Sequence, residues 1–589
     1  MSHPSDFYSS LGGKSNIRCL LLEPGSGNEP LVGHLVVRPI DSGPPYDALS
    51  YTWGDPEKTE SILCNDAVRI GVTANLGKAL HRVRLPSEVR HVWVDQVCIN
   101  QNDIRERNAQ VMIMGQIYQS ARAVLVYLGG SAEDGVDAAA LVKLVNEAID
   151  EEEASTKVAY FNLPRRSSPG SIFADLRWKA FDKALRSPWF RRLWIVQEVG
   201  LGADVKCLFG ESEIDWILFC RAYHFRYMVN SEDRPDFISE GLLNSAGGWL
   251  MEGPRPKSEF APDWRKVSKQ ADFSFLPFLI EVNGHATSDP RDHIYAMYGH
   301  PLARVDGSFI MEPDYSLTKE ETYVNFARAW ATKTKDLRLL SFVEHDSTSV
   351  VDSFSSWVPR WDIPRKTQVM STNLHKNFLH QAGGTSSPVF EVVDELLIVN
   401  GIMFDKISKC SEVMETERTS EQAILQLWRY MVSDRSEASS DQVRYFDDKA
   451  YMTPKPNPIG TFALTITAGR RGNEFVGRDG NAYVLELMDK TAMSATADRA
   501  ILKEHSKGGS SVIFKRLLAR YSKGRTLFYT EGGLAGLGPA VVQPGDICCI
   551  LLGVENPYIL RKTGDRSIYT SQGGYDFDRL EYFATNIGC

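Results

Sequence analysis

The chain between Ile17 and about Gly210 alternates short runs of β-branched or aromatic residues with longer segments of helical periodicity. Apolar residues that recur every three or four positions are typical of helices, and short runs rich in Val, Ile, Tyr and Trp are typical of strands. Helices and strands that alternate in this way build a mostly parallel sheet with helices on both faces. The pattern therefore predicts a three-layer α/β domain for residues 1–210.

Three segments of this domain give specific expectations. His91–Ile99 is apolar at most positions, which predicts one strand buried on both faces. Asp103 and Glu106 form a D-x-x-E start, which resembles a capping box and predicts an amphipathic helix behind it. Ser187-Pro188 is typical of a helix start and predicts a helix over residues 188–200.

Local signals in the same domain predict two hairpins and one further helix start. The first hairpin is expected to turn at Asn65 and Asp66, because both side chains tolerate the dihedral angles of turns. Thr73 is expected to N-cap the helix that follows. The second hairpin is expected to turn about Gly210.

The rest of the chain divides into two further predicted regions. Residues 211–384 have a mainly helical pattern. Residues 385–589 mix helices with short strands at even turn spacing, which is typical of a small β barrel or sandwich. Gly536–Pro539 lacks the lysine of a phosphate-binding loop, so we interpret it as a turn. The last region is also expected to contain one strand and two helices, at Val389–Val399, Ser420–Val432 and Ser511–Tyr521.

Composition excludes several classes of protein. The 589 residues are 43% hydrophobic and 24% charged, close to the globular average, which excludes wholesale disorder. Lys and Arg number 66 against 75 Asp and Glu, so the net charge is −9 and no global positive field favours a nucleic-acid backbone. We therefore expect no nucleic-acid partner.

The nine cysteines are scattered, with no CxxC pair and no metal-like spacing to a histidine. We expect reduced, mostly buried thiols and no metal site. No run of 18 apolar residues occurs, and the first residues lack a basic stretch followed by an apolar one. We therefore expect a cytoplasmic protein without a membrane span.

Glu198 is the most informative candidate for chemistry. It follows Trp194 by four positions in a predicted helix that is otherwise apolar over nearly its whole circumference, so the carboxyl should be partly desolvated beside the indole. A desolvated carboxyl of this kind is a signature of functional sites. The residues alone leave a second interpretation equally open, a structural ion pair with Arg191 or Arg192.

Other polar candidates lie in or after the predicted strand at 91–99. Asp95 needs partners there, and either it bonds backbone amides of the neighbouring loop or it contacts a substrate. Asn100 and Gln101 lie where open α/β sheets bind their ligands, although they also suit a turn. Arg105, near the amino terminus of the next helix, suits an anionic group.

Aromatic candidates lie at the end of another predicted strand, 46–53. Tyr51, Trp53 and Gly54 place two rings and a flexible residue together, and the rings can stack a planar ligand. A tryptophan at such a position is more commonly part of the core. Cys98 has no evident histidine partner, so we interpret it as a buried thiol and not as a nucleophile.

Three blocks of the sequence closely resemble the signature blocks of the fungal heterokaryon incompatibility (HET) domain. They are YDALSYTWG at 46–54, VWVDQVCINQNDIRERNAQVMIMGQIYQSARAVLVYLG at 92–129 and PWFRRLWIVQEV at 188–199. SDPRDHIYAMYG at 288–299 and GLGPAVVQPGDICCILLG near the end resemble segments that accompany this domain. The terminal RSIYTSQGGYDFDRLEYFATNIGC departs from the glycine- and valine-rich strand usual there.

The resemblance implies a role in non-self recognition and programmed cell death of filamentous fungi. HET domains are similar to Toll/interleukin receptor (TIR) domains, whose flavodoxin-like parallel sheet in several branches hydrolyses NAD. Catalytic TIR domains have a W-x-x-x-E arrangement, and Trp194 and Glu198 have that spacing. The implied structure for residues 1–210 is a TIR/flavodoxin-like domain with Glu198 as the catalytic residue.

The chemistry of NAD cleavage suits these residues. Expulsion of neutral nicotinamide from a charged pyridinium needs little acid assistance and passes through an oxocarbenium-like transition state, which one carboxylate can stabilise. We assign that role to Glu198. The residues expected to bind the substrate are Tyr51, Trp53, Gly54, Asp95, Asn100, Gln101, Arg105 and Trp194.

Two hypotheses of different class follow. In the first, the chain is an NAD glycohydrolase that converts NAD or NADP to nicotinamide and an ADP-ribose product, with no cofactor. Because unrestrained activity would empty the NAD pool, we expect activation by self-assembly into a homo-oligomer. In the second, the chain is a non-enzymatic signalling module, since TIR-like domains also serve as homotypic assembly surfaces. An incompatibility partner protein fits either hypothesis.

Overall fold

The computed structural model forms two units, Met1–Lys319 and Glu320–Cys589. The predicted domain boundaries at 210 and 384 remain predictions. The residues that the structure describes are 8–65, 68–156, 172, 175–227, 275–300, 303–345, 354–367, 383, 387–416, 420–423, 476–490, 503–504, 506–532, 534–554, 556–562, 568–569, 575–576 and 580–584.

A nine-stranded mixed sheet is the centre of the first unit. Its strands are β1 (Asn16–Leu22), β2 (Leu31–Pro39), β3 (Asp47–Ser50), β4 (Glu60–Cys64), β5 (Val68–Val72), β6 (Arg90–Trp93), β7 (Ala123–Gly129), β8 (Val205–Phe209) and β9 (Ser212–Asp215). A separate antiparallel pair is formed by β10 (Arg304–Val305) and β11 (Ser308–Phe309).

Helices connect these strands. In the first unit they are α1 (Ala74–Val83), α2 (Asp95–Cys98), α3 (Ile104–Ser120), α4 (Ala132–Thr156), α5 (Trp178–Leu185), a 3₁₀ helix (Pro188–Arg191), α6 (Ile195–Leu201), α7 (Trp216–Tyr227), α8 (Phe275–Glu281) and α9 (Asp292–Tyr295). The next helix, α10 (Lys319–Thr334), begins at the boundary between the two units.

The order of strands in the large sheet is β5-β4-β2-β1-β6-β3-β7-β8-β9. Four neighbours within it, β6, β3, β7 and β8, are parallel to one another. Since the chain visits β3 first and then β6, β7 and β8, their spatial order is 2-1-3-4. The predicted α/β class is confirmed, and antiparallel strands extend the parallel core on both sides.

An ion-pair cluster fixes the amino ends of the parallel strands. The carboxylate of Asp47, the first residue of β3, is fully buried. It accepts hydrogen bonds from Arg90 of β6 at 2.8 Å and from Arg122, just before β7, at 2.7 and 2.9 Å. Because both arginines neutralise one buried carboxylate, the three central strands are tied at this end.

Several predicted turns and caps are confirmed. Asn65 turns the β4–β5 hairpin with φ of 52°, and Gly210 turns the β8–β9 hairpin with φ of 54°. The hydroxyl of Thr73 accepts a hydrogen bond from the backbone N–H of Leu76 at 3.4 Å and so caps α1. Asp66 lies outside the described residues.

Two predicted elements of the first unit are wrong in detail. His91–Ile99 is not one strand, because β6 ends at Trp93 and the short helix α2 begins at Asp95. An apolar run alone does not separate a strand from a buried helical turn. The predicted helix at 188–200 is interrupted at Arg192, which has extended dihedral angles (φ −74°, ψ 138°). There the flanking residues 191 and 193 bond the backbone of Ala286 instead of continuing a helix.

The second unit is built on a six-stranded antiparallel sheet of order β16-β15-β14-β17-β18-β21. The strands of that sheet are β14 (Gly401–Val413), β15 (Arg525–Thr530), β16 (Ala535–Pro539), β17 (Ile547–Leu551), β18 (Pro557–Lys562) and β21 (Leu580–Ala584). Two separate antiparallel pairs are formed by β12 (Phe390–Val393) with β13 (Leu396–Val399) and by β19 (Ile568–Tyr569) with β20 (Tyr575–Asp576). The remaining described helices are a 3₁₀ helix (Arg338–Phe342), α11 (Val476–Lys490) and α12 (Ser511–Ser522).

The long strand β14 organises this sheet. Its first half pairs with β17 and its second half pairs with β15, with register shifts in both halves. Such irregularities bend a strand, so one strand serves two parts of a half-barrel sheet. Ile407 of β14 packs there in a buried core with Phe528, Val542, Cys548 and Ile559.

Sequence predictions for the second unit have mixed outcomes. The helix expected at Ser511–Tyr521 is confirmed as α12. The strand expected at Val389–Val399 is instead the hairpin β12–β13, because Asp394 turns the chain with φ of 51°. Gly536–Pro539 is not a turn but lies in β16, where the absence of a side chain on Gly536 admits the ring of Phe528. Most of the helix expected at Ser420–Val432 lies outside the described residues.

Two further expectations, for the burial of the cysteines and for the absence of a membrane span, concern the described residues. Seven of the eight described cysteines are buried, as expected, while Cys589 lies outside the described residues. Within the described parts of the chain, no helix combines the length and the apolar character that crossing a membrane requires.

Candidate functional site

The carboxyl ends of β3 and β6 form the rim on which most of the candidate residues lie. Tyr51 follows directly after β3, and Asp95 begins α2 two residues after β6. β6, which follows β3 in the chain, lies on one side of β3 in the sheet, and β7, the next parallel strand, lies on the other side of β3. Such a reversal leaves a crevice outside the strand ends, where open α/β sheets bind ligands.

Glu198 of α6 is buried at this rim. The residue is 1% exposed. Its two carboxylate oxygens accept hydrogen bonds from Arg192 at 3.1 and 3.2 Å, and one oxygen also accepts from the hydroxyl of Ser50. That hydroxyl in turn accepts from the indole N–H of Trp189 at 2.7 Å. The carboxylate is therefore engaged on both oxygens by groups of the protein.

Arg192 connects Glu198 to Asp95. The arginine side chain is 18% exposed, and the guanidinium interacts electrostatically with both carboxylates. It can hold this position because the chain is extended at residue 192, between the 3₁₀ helix and α6. We call the set Asp95, Arg192 and Glu198 the acidic triad, since two carboxylates surround one cation.

Asp95 is the half-buried member of the acidic triad. One carboxylate oxygen accepts from the indole N–H of Trp53 at 2.8 Å, and the other accepts from the backbone N–H of Gln96 at 2.7 Å. Burial raises the pKa of Asp95, and the nearby charge of Glu198 adds to this rise, while Arg192 opposes it. Trp53 is 36% exposed, so an indole face and a carboxylate meet near solvent.

Two tyrosines lie beside the triad. Tyr51 and Tyr118 are both about 1% exposed. Burial raises the pKa of each well above its usual value, and Asp95 is the next cause for Tyr51, as Glu198 is for Tyr118. Both phenols therefore stay protonated at neutral pH and remain available as hydrogen-bond donors.

The polar residues after Asp95 shape the loop itself. The side-chain amide of Gln101 donates to the backbone carbonyl of Asp95 at 2.9 Å. Asn100 donates its backbone N–H to Glu106 at 2.7 Å, and its side chain accepts from the backbone of Asn102 at 3.2 Å. Glu106 also binds Arg18, so it does not complete the predicted capping box. These amides hold the turn that presents Asp95.

Arg105 and Gly54 are placed away from this set of contacts. Arg105 is exposed, and its backbone N–H donates to the capping Asp103 at 2.9 Å. Gly54 has φ of +70°, and a β-carbon there would approach the side chain of Asn75 to 2.5 Å. The glycine is thus required by the turn after β3.

Trp194 belongs to a separate cluster. Its indole N–H donates to Asp292 at 3.0 Å, and the same carboxylate accepts from Thr287 at 3.1 Å and from Tyr315 at 2.5 Å. Burial raises the pKa of Asp292 to about 6, although all three donors lower it. The indole of Trp194, which sequence spacing places on the same helix face as Glu198, therefore has Asp292 as its hydrogen-bond acceptor.

The structure brings four predicted residues together around Arg192: Tyr51, Trp53, Asp95 and Glu198. Sequence reasoning named Arg192 only as a structural alternative, and it missed Ser50, Trp189 and Asp292. A signal existed for Ser50, which is a polar residue at the end of a fully buried strand. Asp292 lies within the SDPRDHIYAMYG segment, but nothing in the sequence joined that segment to Trp194.

The arrangement can stabilise a positive charge. Two carboxylates against one guanidinium leave the acidic triad with a formal charge of −1, and the cluster is poorly hydrated. Fixed charge in such a place acts strongly on a nearby cation. Among the residues that the structure describes, no group of His, Cys, Asp and Glu could hold a metal ion.

Comparisons with known proteins place these residues in a recognised domain. Residues 46–198 match the family described as heterokaryon incompatibility protein (HET). This stretch of the chain is therefore similar to a HET domain. Residues 390–579 match a second family, the Het-6 beta-barrel domain.

One curated relative extends along nearly the whole chain. Heterokaryon incompatibility protein 6, OR allele, from Neurospora crassa is 24% identical, and the match covers 93% of this chain and 90% of the relative. No solved structure matches the chain. The residues that match the HET family include the whole acidic triad, whereas Asp292 lies beyond them.

Proposed function

We propose that this chain acts in heterokaryon incompatibility, as a cell-death effector whose HET domain carries the working site. Two findings support the proposal. The HET and Het-6 barrel matches occupy the two units in the same chain, and the relative from Neurospora crassa bears the name of a heterokaryon incompatibility protein.

The activity we propose is hydrolysis of the nicotinamide–ribose bond of NAD or NADP at the acidic triad. The observation that carries it is the half-buried carboxylate of Asp95, which accepts a hydrogen bond from the exposed indole of Trp53 and interacts electrostatically with Arg192. An indole face suits stacking of a flat pyridinium ring. A fixed carboxylate stabilises the oxocarbenium-like charge that develops on the ribose as nicotinamide departs.

The proposed roles differ from those expected from sequence. Glu198 is 1% exposed and its oxygens are occupied, so we assign it as a positioning residue that orients Arg192. Asp95 is the carboxylate that reaches the substrate and is the proposed catalytic residue. The resemblance to TIR domains agrees with this location, since the 2-1-3-4 order of the parallel strands begins the flavodoxin-type order 2-1-3-4-5.

The test is nicotinamide release by the purified full-length chain, in dilute and in concentrated samples, with NAD and with NADP. Asp95→Asn should lower kcat at least about 100-fold without a change in thermal stability, because it removes charge from a half-exposed position. Glu198→Gln should lower both kcat and Tm, because it leaves Arg192 without its partner. Glu57→Gln, an exposed carboxylate in the loop after β3, is the matched control and should behave like the wild type.

Two outcomes would contradict this assignment. Loss of kcat in Glu198→Gln at unchanged Tm, with Asp95→Asn still active, would return the catalytic role to Glu198. Intact NAD with wild-type protein at every concentration would reject the hydrolase altogether.

A non-enzymatic assembly module is the second candidate function. It is favoured by the complete engagement of Glu198 by Arg192 and Ser50, which is also what a purely structural ion pair would show. On this alternative, cell killing on expression in a fungal host survives Asp95→Asn. Under the hydrolase proposal, killing is lost with the charge of Asp95, and nicotinamide release rises when the chain self-associates.

A further inference from the structure

The short helix α2 carries Asp95 as its first residue, but a helix of this length does not hold itself in place. It has four residues, Asp95–Cys98, and a helix of one turn is unstable without contacts from outside. The last carbonyl groups of a helix also lack partners within that helix. The position of α2 therefore depends on the groups that bind its carbonyls.

Two side chains from the segment before and within β1 bind carbonyls at the carboxyl-terminal end of α2. The hydroxyl of Tyr8 donates to the carbonyl oxygen of Val97 at 3.2 Å. The guanidinium of Arg18, in β1, donates to the carbonyl oxygen of Cys98 at 3.3 Å. Residues about 80 positions away in the sequence therefore hold the helix that presents Asp95.

Arg18 is the buried centre of this arrangement. It is 1% exposed and forms an ion pair with both carboxylate oxygens of Glu106, one of them at 2.9 Å. The same carboxylate accepts from the backbone N–H of Asn100, in the loop that follows α2. The guanidinium also lies 4.8 Å from the ring centre of Tyr8. One arginine thus joins α2, the loop behind it and the first turn of α3. We call Tyr8, Arg18 and Glu106 the clamp.

The segment that precedes β1 is itself tied to the domain. Arg18 donates to the backbone carbonyl of Ser9 at 2.5 Å. The side-chain amide of Gln110, one turn further along α3 than the glutamate of the clamp, donates to the backbone carbonyl of Asn16 at 3.0 Å. These bonds fix the segment at both ends, so the tyrosine hydroxyl of the clamp has a defined position beside α2.

We propose that Tyr8 and Arg18 are positioning residues for Asp95. They hold α2 at its carboxyl-terminal end and so keep the carboxylate at its amino-terminal end bonded to Trp53 at the rim. The inference rests on the proposed function, because it assigns both residues to the same site. A carboxylate that stabilises a transition state must be held in one exact geometry, so the clamp acts on kcat.

Tyr8→Phe tests the proposal with the smallest change. It removes the hydroxyl that bonds Val97 and keeps the ring beside Arg18. Because the displaced carboxylate acts in the transition state, kcat for nicotinamide release should fall about 10-fold with little change in KM. Hydrogen exchange, followed by mass spectrometry of peptides that cover residues 94–102, should become faster because α2 opens more readily.

Tyr46→Phe is the matched control. Tyr46 also donates its hydroxyl to a backbone carbonyl, that of Ile117 at 2.7 Å, and its ring also lies near an arginine, Arg38 at 5.3 Å. It directly precedes β3 and so lies at the amino end of the parallel strands, away from α2. The control should lose stability but keep the kcat and the exchange rates of residues 94–102 seen in the wild type.

Arg18→Lys is the second variant. Lysine keeps the charge opposite Glu106, but its single ammonium replaces the planar fork that reaches Glu106, Ser9 and Cys98. Exchange over residues 94–102 should rise further than in Tyr8→Phe, and kcat should fall further. If Arg18→Lys fails to fold, Tyr8→Phe decides alone.

The outcomes separate this inference from the hydrolase proposal. Unchanged exchange over residues 94–102 in Tyr8→Phe would overturn the clamp. Faster exchange at unchanged kcat would also overturn it as a positioning device, and so would an equal fall of kcat in Tyr46→Phe. If the wild type releases no nicotinamide, the hydrolase proposal fails, and hydrogen exchange still decides whether the clamp holds α2.

Discussion

The two units contain charge clusters of opposite composition. In the first unit, the charges of two carboxylates, Asp95 and Glu198, act on one guanidinium, that of Arg192. In the second unit, the guanidinium groups of Arg365 and Arg525 interact with one carboxylate, that of Glu344. The first cluster carries a formal excess of negative charge and the second a formal excess of positive charge.

The clusters also differ in how the fold satisfies them. Glu198 has a bidentate arginine and a serine hydroxyl within hydrogen-bond distance, so its desolvation is largely offset by the protein itself. Glu344 accepts a hydrogen bond from the backbone N–H of Lys366 at 3.2 Å and lies 3.8 Å from the Nε of Arg365. The comparison teaches that the carboxylate of the first cluster is held by a bidentate ion pair, whereas that of the second cluster is held more closely by a backbone N–H than by an arginine.

The largest effect should come from Arg192→Met. Removing the cation leaves Glu198 as an uncompensated buried charge, which costs about 3–5 kcal/mol for a buried pair, and the lower end is expected because Arg192 is 18% exposed. Urea unfolding followed by tryptophan fluorescence measures the loss. Arg191→Met, the exposed neighbour, is the matched control and should change stability by less than about 0.5 kcal/mol.

The double variant Arg192→Met/Glu198→Met separates pairing from packing. Replacing both charges by apolar side chains should recover most of the lost stability, because the cost lies in the unpaired carboxylate. A double variant as unstable as Arg192→Met alone would show that the arginine acts through packing, and the contrast between the two clusters would then be unfounded.

Much of the fold around the acidic triad could be predicted from sequence. Turn and cap residues act locally, so the roles of Asn65, Thr73 and Gly210 follow from their side chains alone. The position of Asp95 could not be predicted in this way. An apolar run such as VWVDQVCI suits a strand or a buried helical turn, and the choice depends on tertiary contacts such as the bond from Trp53.

The residue that binds Glu198 also could not be predicted from the local sequence pattern. Sequence spacing placed its carboxyl beside Trp194 but left an ion pair with Arg191 or Arg192 open. The choice was decided by a break in the helix at Arg192, which results from backbone bonding to Ala286, more than 90 positions later in the chain. Contacts of that range leave no local pattern.

A smaller effect, in the pH dependence of stability, should come from Asp292. This carboxylate differs from Glu198 in that neutral donors, Trp194, Thr287 and Tyr315, surround it. Its pKa is raised to about 6 in the folded chain, against about 3.9 when unfolded. The folded state therefore binds the proton more tightly, so the contribution to stability is fully present below pH of about 4 and is lost as the pH rises through about 6.

The measurement compares wild type with Asp292→Asn. The shift of about 2 pKa units corresponds to about 2–3 kcal/mol, so the stability of the wild type relative to the variant should fall by this amount between pH 4 and pH 7.5. A difference that stays constant with pH, or rises, would mean that the neutral donors hold the ionised form as well as an arginine would.

The smallest effect on stability should come from Arg525→Met, although the residue is only 4% exposed. The substitution loses the bond to Thr367 but also removes the repulsion between Arg525 and Arg365, and methionine fills a similar volume without a charge. These effects oppose each other, so we expect a change below about 1 kcal/mol in urea unfolding. A loss as large as that of Arg192→Met would show that the fold depends on Arg525 as much as on Arg192, which would make the second cluster equivalent to the first.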